Sequence, residues 1–199
     1  MKSLVLAIVV LSFSVSDLRA APRLVGCTTT YSATTMIDQT IRGDSPAFGV
    51  AEDIHLGTAT SVTLCSFDVA FENGDPANAH GMWVSFRKGG TGNPVPGEVT
   101  AGPFHIAIDA AAGTRVYHVD AGLGYVTPDA YIDFQWDDSS WPAIPFVQGP
   151  SPGSTHTYLY FSDGNYFFPF SAGLYAVVQT GEAVPASVQT WGSVKARYR

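Results

Sequence analysis

The stretch FHIAIDAAAGTRVYHVD, residues 104–120, decides the fold because apolar and polar residues alternate on both sides of a short Ala-rich segment. Alternation with a period of two is typical of a β-strand with one buried face. Gly113 ends the Ala-rich segment, and glycine accepts the positive φ that short hairpin loops require. The sequence therefore predicts two antiparallel strands joined by a hairpin loop between Asp109 and Thr114.

The predicted hairpin places two histidines opposite each other. Its register pairs Ile108 with Arg115, Ile106 with Tyr117 and His105 with His118. The buried face then carries Phe104, Ile106, Ile108, Tyr117 and Val119, and the other face carries His105, Ala107, Val116 and His118. Opposed residues have Cβ atoms roughly 4.5–5.5 Å apart, so the two imidazoles could share a metal ion with a third ligand such as Asp133 or His55. The alternative is a pair of solvent-facing histidines.

The same alternation continues from Phe48 to Thr180, with turn-forming clusters of Gly, Pro, Asn and Asp between the apolar runs. The clearest predicted core positions are Cys65, Phe67, Val69, Phe71, Ile132, Phe134 and Trp136. Residues 137–152 hold four prolines and are predicted to form a long loop. Many short strands without an amphipathic helix predict an all-β, antiparallel two-sheet β-sandwich that is jelly-roll-like.

Composition agrees with that fold and limits the partners. The 199 residues include 20 Gly and 13 Pro, with 13% aromatic and 14% charged residues, which favours short strands and turns over helices or disorder. The net charge is −7. Binding to nucleic acid or to an anionic membrane surface depends largely on Lys and Arg, so neither is expected as a partner.

The N-terminus is typical of a secretory signal peptide. Lys2 precedes an apolar run, Leu4–Val10, and the small residues Ala20 and Ala21 follow. We expect residues 1–21 to be the signal peptide and residues 22–199 to be a single β-sandwich domain, with Val188 onward a terminal strand or a tail. No later segment has 18 uninterrupted apolar residues, so no transmembrane segment is expected. The predicted location is secreted, extracellular or cell-envelope.

Two cysteines, Cys27 and Cys65, are present. In an oxidising compartment an isolated pair forms one disulfide, which would stabilise the fold by roughly 3–4 kcal/mol. An alternative is open because Leu24-Val25-Gly26-Cys27 resembles a lipobox, in which Cys27 would carry lipid. Charged and proline residues separate this tetrapeptide from the apolar run, and this favours the disulfide.

Three kinds of functional site can be considered. Asp133 with Asp68 could flank a sugar as glycosidase carboxylates do, if one concave face held both; otherwise they are surface acids. Glu72, Asn73 and Asp75 offer oxygen ligands for a structural calcium ion, or serve turn chemistry alone. No other cofactor is expected. Aromatic residues gather in the C-terminal third, and Trp141, Tyr158 and Tyr160 are the candidates for stacking on a ligand.

The middle of the chain carries a resemblance to a known group of proteins. The matching parts are AEDIHLGTATSVTLCSFDVAF, the MWVSF strand with its Gly/Pro loop, AYIDFQW and GPSPGSTHTYLYFSDG, and together they cover Val50 to Val178. They resemble secreted bacterial β-sandwich domains of PEP-CTERM-type, or choice-of-anchor, surface proteins. The resemblance implies an extracellular or envelope location and a sandwich fold, and it supplies no catalytic residues. The chain departs from this group in ending on TWGSVKARYR without an apolar anchor.

These patterns favour a non-catalytic adhesion, binding or structural role outside the cytoplasm, with a glycan or another surface protein as partner. No nucleophile elbow, phosphate-binding loop or zinc-helix motif occurs in the sequence, which favours a protein that is not an enzyme. The alternative interpretation is a carbohydrate-binding or glycan-hydrolysing jelly-roll protein.

Overall fold

A computed structural model describes residues 23–24, 26–43, 48–57, 61–75, 77–89, 96–137, 142–148, 154–161, 166–170, 173–181 and 183–184. For residues 23–24, 123, 154–161, 166–170 and 183–184 only the backbone is described. The predicted signal peptide, residues 1–21, and the tail from Val188 onward lie outside these ranges.

The described residues form strands and turns, and no helix occurs among them. The strands are β1 (Arg23–Leu24), β2 (Thr28–Ala33), β3 (Met36–Arg42), β4 (Phe48–His55), β5 (Val62–Asn73), β6 (His80–Lys88), β7 (Val99–Ile108), β8 (Gly113–Val126), β9 (Asp129–Trp136), β10 (Ala143–Val147), β11 (Ser154–Phe161), β12 (Tyr166–Phe170), β13 (Gly173–Leu174), β14 (Ala176–Gly181) and β15 (Ala183–Val184). Proline and glycine are common in the connecting segments, where strand hydrogen bonding stops.

Two antiparallel sheets contain nearly all of these strands. The six-stranded sheet has the order β12-β11-β4-β9-β6-β7. In the seven-stranded sheet β5 is flanked by β8 on one edge and by β14 on the other, and β14 in turn pairs with β2. Beyond the end of β14, β10 meets β5 at Glu72 and also pairs with β3 and β13. The chain changes sheet at almost every connection from β3 to β11, which confirms the predicted jelly-roll-like sandwich.

The core lies between the two sheets and is rich in aromatic rings. Phe67 of β5 packs edge-on against Phe86 of β6 and Phe104 of β7, at centroid distances of 5.3 Å and 5.2 Å. Phe71 of β5 packs on Phe134 of β9 at 6.1 Å. Burying one such side chain contributes roughly 1.5–3 kcal/mol, so these contacts between sheets are a main source of stability.

The predicted hairpin of residues 104–120 is wrong in its pairing. Both strands exist and the buried face is as predicted, but β7 pairs with β6 in the six-stranded sheet and β8 pairs with β5 in the seven-stranded sheet. The segment from Asp109 to Ala112 therefore crosses between sheets. Alternation reports which face of a strand is buried, and it does not identify the neighbouring strand. His105 and His118 are consequently not opposed on one ladder.

Two further predictions need correction. Residues 137–152 are not a loop throughout, because they include the buried strand β10. Cys65 does not share the core face of Phe67, Val69 and Phe71. Against β14 the register passes from Leu64 to Ser66 while β14 advances only from Thr180 to Gln179, so Cys65 is the extra residue of a bulge. A bulge shifts the alternation by one residue, and Leu64 takes the core position instead.

The side chain of Glu52, an acidic residue, lies inside the core. Glu52 of β4 is fully buried among the inward-facing residues of the six-stranded sheet. Its carboxylate accepts hydrogen bonds from the Tyr31 hydroxyl of β2 and from the Leu174 backbone N–H of β13, the latter at 2.5 Å. Both donors belong to the seven-stranded sheet, so the Glu52 side chain joins the two sheets by polar contacts.

The chain divides into two compact units, residues 24–183 and residues 1–23 with 184–199. Of the second unit only Arg23 and Val184 are described. The sandwich belongs to the first unit. In the part of the chain that the structure describes, there is no helix with the length and apolarity to cross a bilayer.

Candidate functional site

An exposed aromatic pair stands on the outer face of the six-stranded sheet. Trp83 of β6 is directly paired with His105 of β7, and their ring centroids lie 4.5 Å apart with the planes inclined by 54°. Both neighbours of Trp83, Met82 and Val84, are fully buried in the core, so the period of two turns Trp83 outward. Trp83 is 38% exposed and the His105 side chain is 42% exposed.

A carboxylate holds the histidine in place. Asp137 follows the last residue of β9, and its Oδ2 lies 2.7 Å from His105 Nε2 while its Oδ1 accepts a hydrogen bond of 3.1 Å from the Gly81 N–H. A Cβ atom at position 81 would overlap both the carboxylate and the imidazole, so glycine is required for this close approach. We call Trp83, His105, Asp137 and Gly81 the Trp83 cluster.

The Trp83 cluster ends a cross-strand row that spans five strands. The backbone register aligns Tyr160, Gly49, Gln135, Trp83 and His105 across β11, β4, β9, β6 and β7. The next row contains Asp133, which is 1% exposed although it belongs to the outer face. Arg87 donates to Asp133 at 2.6 Å from Nε, and this charge-assisted hydrogen bond offsets the cost of burying the carboxylate.

A second histidine site lies on the other sheet. His118 of β8 contacts Asp68 of β5, with Nδ1 2.6 Å from Oδ1, and its Nε2 is 3.4 Å from Asp120. The hydrogen bond to Asp68, with a smaller contribution from Asp120, raises the pKa of His118. The His118 and Asp120 side chains are largely exposed and Asp68 is half-buried, which is typical of an ion pair at the surface.

His105 and His118 do not lie opposite each other, so the geometric reason for a shared metal ion does not hold. His105 binds Asp137 and His118 binds Asp68, each in a different sheet. His55, a suggested third ligand, contacts Asp129 at 2.7 Å. No group of three or more His, Cys, Asp or Glu side chains suited to a metal ion occurs among the described residues.

Asp133 and Asp68 do not face a common substrate groove. Asp133 is on the six-stranded sheet and is bound by Arg87, whereas Asp68 is on the seven-stranded sheet and contacts His118. Each is on a strand whose opposite face packs on the core. The proposed glycosidase pair is thus not assembled by this fold.

In the predicted calcium loop the side-chain oxygens serve the turn. Asp75 accepts from the Ala77 N–H and from Asn78 Nδ2, and this Asn78 hydrogen bond lowers the pKa of Asp75. Asn73 Oδ1 accepts from the Asp75 N–H at 2.9 Å. Glu72 lies 3.3 Å from Arg42 instead of pointing to the same centre. Calcium binding remains a prediction, and the observed hydrogen bonds support the alternative that these residues stabilise the turn.

The predicted stacking residues are only partly covered by the structure. Trp141 lies outside the described residues, and Tyr158 and Tyr160 have described backbones in β11 without described side chains. Sequence reasoning missed Trp83 as a candidate. The signal was available in MWVSF, where Met82, Val84 and Phe86 alternate as core residues and leave Trp83 on the outer face.

Cys27 and Cys65 form the predicted disulfide. The sulfur of Cys27 is therefore part of a disulfide and does not carry a thioether-linked lipid, so the lipobox alternative is not supported. Cys27 precedes β2 and Cys65 is the bulge residue of β5, which places the bridge at an irregular point of the seven-stranded sheet.

Comparison of the chain with protein-family models, with curated proteins and with solved structures finds no match. We therefore infer function from the geometry of the chain itself.

Proposed function

We propose that this chain is a secreted or cell-envelope β-sandwich module that binds its ligand without catalysis, through the Trp83 cluster. The observation that carries the proposal is a fixed, exposed indole beside polar groups. A single exposed aromatic residue is common on protein surfaces. Trp83 differs because His105 packs against it and Asp137 holds His105, so the surface is already ordered before a ligand arrives.

The location part of the proposal is supported by the disulfide. A structural bridge such as Cys27–Cys65 is compatible with an oxidising compartment and is rare in the cytosol. The resemblance to PEP-CTERM-type and choice-of-anchor surface proteins belongs to the same proposal, since it too implies an envelope or extracellular site.

The non-catalytic part is supported by the carboxylates. The two considered for glycan hydrolysis lie on different sheets, and each contacts a basic side chain. A pair of glycosidase carboxylates must instead face one another across a scissile bond, roughly 5–10 Å apart. Binding without bond cleavage therefore fits the arrangement better than the glycan-hydrolysing alternative.

A solid-phase binding assay tests the proposal with a matched pair of variants. The purified chain is presented to immobilised neutral and acidic polysaccharides, mucin and a bacterial cell-envelope fraction. Trp83→Ala should weaken binding to the recognised material by about tenfold or more, as expected for an aromatic residue at the centre of a site. Tyr125→Ala is the control because Tyr125 is an aromatic residue of β8 in the other sheet and is 52% exposed. Equal binding by wild type and Trp83→Ala would refute the proposal, as would no binding to any probe.

A further inference from the structure

The Trp83 cluster offers a ligand two different kinds of surface side by side. The indole of Trp83 is broad and apolar, and the inclined imidazole of His105 borders it at 4.5 Å. Small residues adjoin the pair, because the neighbouring cross-strand partners on the same face are Gly81 and Ala107. Above Gly81 lie the Asp137 carboxylate and the His105 ring, so a flat group on the indole meets hydrogen-bonding groups on this side.

Hydrogen-bonding groups line the edge of this surface. A carboxylate can only accept hydrogen bonds, so the short contact with Asp137 requires the proton of the neutral His105 ring to be on Nε2. Nδ1 is then an acceptor, and among the described residues this imidazole has no hydrogen-bond partner besides Asp137. The Asp137 side chain is 25% exposed and can also accept from a ligand. Both groups would suit a ligand that donates from hydroxyls at its rim.

The negative charge of the site limits the class of ligand further. Asp137 puts a carboxylate at the site, and the whole chain has a net charge of −7. Like charges brought into contact are unfavourable, so a ligand bearing carboxylate, sulfate or phosphate groups is disfavoured. An uncharged ligand with a flat apolar face and a rim of hydroxyl groups satisfies these conditions.

We infer that the Trp83 cluster is a subsite for a neutral glycan, in which a pyranose ring packs its C–H face on Trp83 and directs hydroxyl groups to His105 Nδ1 and to Asp137. The inference rests on the proposed binding function and adds the class of ligand. It places recognition on β6, β7 and the end of β9, and not at the C-terminal aromatic residues that the sequence favoured.

The test is a glycan array with neutral and acidic oligosaccharides of matched length, followed by calorimetric titration of the glycans that bind. The dissociation constant of a neutral glycan should rise about tenfold or more in Trp83→Ala. Trp83→Phe should lose less affinity than Trp83→Ala because it retains an aromatic face. Tyr125→Ala should bind as the wild type does. Equal thermal unfolding temperatures among these variants would show that the losses arise at the site.

A charge variant tests the neutrality of the ligand separately. Asp137→Asn keeps an oxygen for the Gly81 N–H and removes the negative charge. It should reduce the discrimination against acidic oligosaccharides by severalfold, whereas Asp120→Asn on the other sheet should not. Preferred binding of acidic glycans by the wild type would overturn the inference.

Two outcomes separate this inference from the proposed function. Trp83-dependent binding to mucin or envelope protein, with no glycan bound on the array, would refute the glycan subsite and leave the binding module intact. Glycan binding that is unchanged in Trp83→Ala would refute both.

Discussion

At the residue scale, Glu52 is a buried polar side chain on which stability is predicted to depend. It is fully buried, and its carboxylate accepts from the Tyr31 hydroxyl and from the Leu174 N–H. Glu52→Ala would leave two buried donors without this acceptor, and each such group costs roughly 1–3 kcal/mol. We expect the free energy of unfolding to fall by about 3 kcal/mol in urea titrations.

Two companion variants show whether the polar contact is the cause. Tyr31→Phe removes one donor and keeps the ring, so it should cost about 1–2 kcal/mol. Glu98→Ala changes the same residue type at an exposed position and should have little effect. A Glu52→Ala protein as stable as the Glu98→Ala protein would show that the Glu52 contacts between the sheets are unimportant.

His118 allows a prediction about pH. Its pKa in the folded chain is raised, chiefly by the hydrogen bond to Asp68 and less by Asp120. The stabilisation from this interaction is therefore fully present below the unfolded pKa of about 6.5, and it is lost as the pH rises through the folded pKa. The effect on stability should be small because the side chain is exposed.

An NMR titration of the imidazole measures this shift directly. Asp68→Asn should lower the pKa of His118 more than Asp120→Asn does, because the Asp68 contact is 2.6 Å and the Asp120 contact is 3.4 Å. If Asp120→Asn lowered the pKa of His118 more than Asp68→Asn did, Asp120 and not Asp68 would be the main cause of the shift.

At the scale of strands, β7 and β8 show what a single sequence can predict. Residues 104–120 predicted both strands and both buried faces correctly, because alternation is a local property of the chain. The pairing partner is set by contacts between distant segments, and nothing in a short Ala-rich link distinguishes a hairpin turn from a crossing between sheets. Residue faces could thus be predicted, and strand neighbours could not.

The candidate site was harder to predict for the same reason. Trp83, His105 and Asp137 come from three separate segments, and only the order β9-β6-β7 in the sheet brings them together. Their spacing in the sequence matches no local motif. The cysteine pair was predictable because two cysteines allow only one intramolecular bridge.

The disulfide gives a prediction at this scale, since it fastens the segment before β2 to the bulge of β5. The bridge spans 38 residues, and closing a loop of that length stabilises the fold by about 3–4 kcal/mol in the chain-entropy model. Urea unfolding with and without a reductant should show a loss of this size, and the intact mass should rise by about 2 Da on reduction. A Cys27→Ser/Cys65→Ser variant is the control, because its stability should not respond to the reductant.

At the scale of the whole sandwich, residues 24–183 should unfold in one transition, because the core rings of both sheets contact one another. Phe67 contacts Phe86 and Phe104 of the opposite sheet. Phe67→Ala should therefore destabilise both sheets together by about 3–5 kcal/mol. Far-UV circular dichroism and tryptophan fluorescence should report the same urea midpoint. Val116→Ala, at an exposed position of β8, should shift that midpoint little. Separate midpoints for the two signals would contradict a shared core.

The interleaved strand order also constrains how the protein can be made. Within the residues that the structure describes, β2, β3, β4 and β5 pair only with strands from β8 onward. While the ribosome is still extending the nascent chain, these early strands have no partners, and their apolar faces and open edges are exposed to other molecules. β2 gains its neighbour only when β14 has emerged, after all the strands from β3 to β13. The sheets of residues 24–183 can therefore be completed only after β14 has been synthesised, and until then the unpaired early strands need protection from aggregation.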